Sequence, residues 1–97
     1  MDISKKSIFL AKLNSIKSII EKATDKQKQG LIGINLANEF NKLLKELSEE
    51  YPELKNSLPA NINSNGHFSL MQKADTNYID LEIFTETVIS LLNLIEN

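Results

Sequence analysis

Seventeen residues from Ile79 to Ile95, IDLEIFTETVISLLNLI, limit this chain more than any other stretch, because nothing else in it is so apolar for so long. On a helix at roughly 100° per residue, Leu81, Phe84, Val88, Leu91 and Ile95 form one stripe at the 3,4,3,4 spacing of a packed seam. Ile89 and Leu92 flank the stripe on one side, and Ile83 and Leu94 on the other. Only Glu82, Glu86, Ser90 and Asn93 gather into a polar strip, about 80° wide. A helix wet on so narrow a strip must be covered nearly everywhere else. Asp80 reads as its N-cap, with Ile79 and Phe84 as a hydrophobic staple, and a cap at Asp75 or Asn77 is the competing reading.

Two further helices can share that burden. Ser4 to Ala23 places Phe9, Leu13, Ile16, Ile20 and Ala23 on one face, with Asp2 or Ser4 as cap. Ile34 to Tyr51 carries Leu36, Phe40, Leu43, Leu44, Leu47 and Tyr51 as a stripe, opposed by a wet face of Asn38, Lys42, Lys45, Ser48 and Glu49. Pro52 ends this helix, since the residue before a proline is pushed out of the helical region, and PELKNS beyond it can open a short helical segment. Between the first two helices TDKQKQG reads as a turn. Gly30 and Gly33 fit helix initiation or close backbone packing. From Pro59 to Asn77 the composition shifts to Asn, Ser and Gly. The expectation there is a mobile Asn61–Asn65 segment, then a helical turn over Ser69–Ala74 that anchors Phe68 and Met71. The fold expected is therefore all-α: one domain over residues 1–97, a small bundle of three long helices with one or two short helical segments between the second and third.

Composition excludes much chemistry. The chain has no cysteine, which removes thiol nucleophiles, disulfides and thiolate metal sites and suits a reducing compartment. No stretch is long and apolar enough for a membrane span, and the N-terminal residues do not resemble a secretory signal, so a cytoplasmic location is expected. His67 is the sole histidine. With Ser64 or Ser69 and Asp75 it could be drawn as a triad, but no nucleophile elbow surrounds either serine. Glu49, Glu50 and Glu53 lack the ligand alternation of a calcium loop, and the G-x-x-G of Gly30 and Gly33 is not a phosphate loop. No catalytic, cofactor or metal residue is assigned, and an enzyme is not expected.

Two binding readings follow. The excess apolar surface of the last helix points to a protein-interaction or self-association module, a homodimer formed through Ile83 and Leu94 or through Ile89 and Leu92. The alternative is a small DNA-binding regulator. Residues 1–30 carry seven lysines against three acids, and the remainder four against ten. Lys5 and Lys12 would then meet phosphates, while Asn35, Asn38 and Asn41 could pair with adenine edges. The acidic remainder and the absence of arginine weigh against nucleic acid.

Overall fold

In the computed structural model, which describes residues 4–65 and 73–95, the chain is predominantly helical and its three long helices fall where the apolar spacing puts them. Helix α1 spans Lys5–Lys22, opened by Ser4, whose hydroxyl oxygen accepts from the Ser7 amide at 3.1 Å. Its stripe of Phe9, Leu13, Ile16 and Ile20 is buried. Within the expected turn lies a one-turn helix, α2 (Asp25–Lys28), held by a reciprocal capping box between Thr24 and Gln27. The main helix α3 spans Ile34–Glu50 and buries Ala37, Phe40, Leu43, Leu44 and Leu47. Pro52–Ser57 follows as a 3₁₀ helix that turns Leu54 into the core. The last helix, α4, spans Tyr78–Asn93.

Ion pairs give the helix directions. Lys5 meets Glu50 at 3.1 Å and Lys12 meets Glu46 at 3.9 Å, so α1 runs antiparallel to α3. Lys17 meets Glu86 at 3.6 Å and Lys6 Nζ donates to the Ile95 carbonyl at 2.7 Å, so α1 is also antiparallel to α4. The first helix is thus the shared wall of the bundle, and its closest packing is on α4. Phe9 and Tyr51 close the far end edge to face, with ring centroids 6.0 Å apart.

The expectation of a purely helical chain needs one addition, a small sheet. Strand β1 (Leu31–Gly33), which leads straight into α3, pairs antiparallel with β3 (Lys73–Asn77), which leads straight into α4. A two-residue strand β2 (Ser64–Asn65) lies on the other edge of β3, giving the order β1-β3-β2. The register Leu31↔Asn77 and Gly33↔Lys73 contains a bulge. Ile32 and Ala74 from the two strands are fully buried. Lys73 and Ala74 are therefore strand where a helical turn was expected. Residues 69–72 of that turn, like Phe68 and Met71, lie outside the described residues.

At three places the local structure chooses between the expectations or differs from them: the competing cap at Asn77 and the helix-entry reading of Gly33 are the ones observed. Asn77, not Asp80, caps α4: its side-chain oxygen accepts from the Asp80 amide at 2.7 Å, which leaves Asp80 in the first turn and removes the staple of Ile79 with Phe84. The Asn61–Asn65 segment, expected to be free of the bundle, is hydrogen-bonded to it at Ile62 and Asn63. Asn41 grips Ile62 from both sides, accepting from its amide and donating to its carbonyl at 2.8 Å each, while Asp75 N donates to the Asn63 carbonyl at 2.7 Å. Gly33 is the N-cap of α3, with nothing within 4 Å of where a Cβ would stand, so close backbone packing does not explain it.

Candidate functional site

The buried face of α4 is Leu81, Thr85, Val88 and Leu92, which lie within about 60° of one another on the helix. This face is turned by roughly 50° from the seam the apolar residues suggest. Thr85 makes that face possible. Its hydroxyl donates to the Leu81 carbonyl at 2.7 Å, satisfying the polar atom inside its own helix and leaving the methyl to pack. Phe84 and Leu91, expected at the centre, are only partly buried at one edge, and Ile89 is partly buried at the other.

Of the four expected interface residues, Leu92 is therefore ruled out. It is fully buried in the core of its own chain, on the face that α4 turns inward with Leu81, Thr85 and Val88. Ile89, at the edge of that face, is half covered. Ile83 and Leu94 sit on the opposite face, 54% and 76% exposed. Ile79, one turn before Ile83, is 48% exposed and was not among the expected residues. On the helical net Ile79, Ile83, Thr87, Ser90 and Leu94 form a single stripe without a charge. Thr87 also donates back to its own helix, to the Ile83 carbonyl at 2.9 Å, so its methyl joins the stripe. Glu86, at the stripe's border, is the partner of Lys17. The sequence signal that could have located this face is the spacing of the two threonines four residues after Leu81 and Ile83.

The basic first helix is less available to phosphates than its lysine count suggests. Lys5 and Lys12 each reach a glutamate of α3 and Lys17 a glutamate of α4. Asn35 and Asn38 are exposed near the start of α3, whereas Asn41 is engaged with Ile62. His67 and Ser69 lie outside the described residues, and with them the triad drawn from Ser64 or Ser69, His67 and Asp75. Asp75 is exposed on β3. Glu50 of the acidic cluster pairs with Lys5, and no three carboxylate or histidine groups among the described residues gather closely enough to hold a metal ion. No helix among the described residues is long and apolar enough to cross a membrane. Compared with known proteins, the chain matches no family model, no curated protein and no solved structure.

Proposed function

We propose that this chain is a non-catalytic self-association module that forms a homodimer through the outer face of α4. The observation that carries the reading is the uncharged exposed stripe from Ile79 to Leu94, with three large aliphatic side chains between 48% and 76% exposed. Full burial of such a side chain is worth about 1.5 to 3 kcal/mol, and roughly half or more of that is left unrealised at each of these positions. The stripe is about 22 Å long, with Thr87 and Ser90 in the middle and aliphatic residues towards both ends. Small residues at the centre let two helix axes approach closely, and a twofold pairing of the stripe with itself would bury both ends together. Outside this stripe the neighbouring acid Glu86 is already neutralised by Lys17. Asp80, exposed at the opposite border of the stripe, is the acid that a twofold pairing has to keep apart from its copy.

Light scattering on the purified chain at tens of micromolar tests the proposal. The native chain should show twice the monomer mass, and Ile83→Lys or Leu94→Lys should give a folded monomer by circular dichroism. A native chain that is monomeric at this concentration, or substitutions that leave the mass doubled, would sink it. A native monomer that nonetheless loses stability with Ile83→Lys would mean the face is covered from within the same chain.

A further inference from the structure

We propose that the pocket between the middle of α3, the 3₁₀ helix and the segment after it binds a small phosphate ester. Three of the concavities on the described surface differ in their charge. The two between α1 and α3, about 280 and 360 Å³, carry both signs: Lys12 and Lys42 face Glu39 and Glu46 in one, and Lys5 and Lys12 face Glu46, Glu49 and Glu50 in the other. Their charges compensate internally. The third, about 490 Å³, is lined by Lys42, Lys45 and Lys55 with no carboxylate. None of these three lysines makes an ion pair within 4 Å with a described acid. Lys42 also borders Glu39 and Glu46 in the first concavity, so Lys45 and Lys55 are the lysines that supply the excess of positive charge here, in a chain whose formal net charge is −2.

The fold brings these lysines together from separate places. Lys42 and Lys45 are one turn apart on α3, and Pro52 folds the chain back so that Lys55 faces the same cavity. The acids four residues beyond each α3 lysine turn away. Glu46 reaches Lys12 on α1, and Glu49 lines the neighbouring concavity with Lys5. The far wall, Pro59 to Asn61, is set beside the segment that Asn41 grips through both backbone groups of Ile62. A rigid concave site with one sign of charge concentrates counter-ions, and lysine serves phosphate as a point charge that needs no planar partner. The floor is apolar, made by Leu44, Leu58 and Pro59, and gives a surface for the organic body of the ester beside its charged head. Ser48, whose hydroxyl donates to the Lys45 carbonyl at 2.8 Å, also lines the cavity, and its oxygen keeps the capacity to accept from a ligand hydroxyl.

Amide-resolved NMR titration with adenosine monophosphate and, separately, with inorganic phosphate provides the test. Saturable shifts should appear for Lys45, Ser48, Lys55 and Asn61 with adenosine monophosphate, and binding of inorganic phosphate should be weaker because it lacks a body to lie on the floor. The double variant Lys42→Glu and Lys55→Glu should weaken adenosine monophosphate binding by at least about tenfold, with an unchanged circular dichroism spectrum. Lys26→Glu, the same charge change on α2, should leave affinity as it was. Absence of saturation, an equal loss in Lys26→Glu, or inorganic phosphate binding as tightly as the ester would overturn the proposal. So would a response confined to duplex DNA that vanishes steeply with salt, since that is the behaviour of a nucleic-acid surface.

Discussion

At position 85 a threonine sits at the centre of the buried face of α4, its hydroxyl bonded to the Leu81 carbonyl and its methyl in the core. Replacing it with valine keeps the shape and leaves the Leu81 carbonyl its ordinary helical partner, so stability should change by less than about 1 kcal/mol. Serine removes the buried methyl and should cost about 1 kcal/mol. Urea titration of the pair checks the orientation of α4, and a serine variant more stable than the valine variant would mean that the methyl is not what the core holds. The same physics explains a misreading from sequence. Glu82, Glu86, Ser90 and Asn93 define a wet strip only if threonine is left uncounted, and a threonine that satisfies itself belongs with the aliphatics. Asn41 is the second residue whose role spacing could not reveal, because its partner lies 21 residues away. Asn41→Ala removes both bonds to Ile62 and should cost about 1 to 3 kcal/mol. Its sharper signature is faster proteolysis between Asn61 and Asn65; an unchanged cleavage pattern would show that the segment is held by something else.

Among the elements, the three long helices were legible because each carries a regular stripe, and Ser4 and Pro52 mark where the first begins and the second ends; the cap of the last, at Asn77, lies three residues before the Asp80 favoured by the sequence pattern. The strands were not. Lys73–Asn77 reads KADTN, with one small apolar residue, and Leu31–Gly33 is too short to show a two-residue alternation. Their pairing is fixed by tertiary contact, with Ile32 and Ala74 as its buried part. Helix boundaries give two opposite predictions. Asn77→Ala removes the cap of α4 and should cost about 1 kcal/mol. Gly33 caps α3 without a side chain, at φ −71° and ψ 157° and with open space around it. Serine there supplies the missing acceptor and restricts the unfolded chain, so Gly33→Ser should add about 0.5 to 1 kcal/mol. Thermal melts of both variants measure the effect, and a destabilised Gly33→Ser would mean that the β1 pairing, not the cap, governs this position.

For the molecule as a whole, self-association has a thermodynamic signature that needs no mass measurement. A dimer that forms only from folded chains raises the midpoint of unfolding as protein concentration rises. The native chain should show that dependence and Ile83→Lys should lose it, whereas an equal midpoint at all concentrations in the native chain argues for a monomer. The candidate surface was half legible. The apolar excess of the last helix was visible in the sequence, but the side left uncovered depends on how α1 and the sheet seat the helix.

The sheet also sets an order of assembly. Its main pairing joins Leu31 to Asn77, positions 46 residues apart, while every helix can form from neighbours. Contacts that close long loops are late in folding, since the chain must lose that freedom before the pairing stabilises anything. Ile32, fully buried in β1, should therefore have a low φ-value. Ile32→Val should lower stability by about 0.5 to 1.5 kcal/mol, and stopped-flow chevrons should place nearly all of that loss in a faster unfolding limb. A slowed folding limb would instead make the strand pair part of the nucleus. Docking α4 on α1 closes a still longer loop, with a separation of 89 residues from Lys6 to Ile95, so the seam and the α1–α4 wall belong together to the last stage of assembly, and either can set the lifetime of the native state.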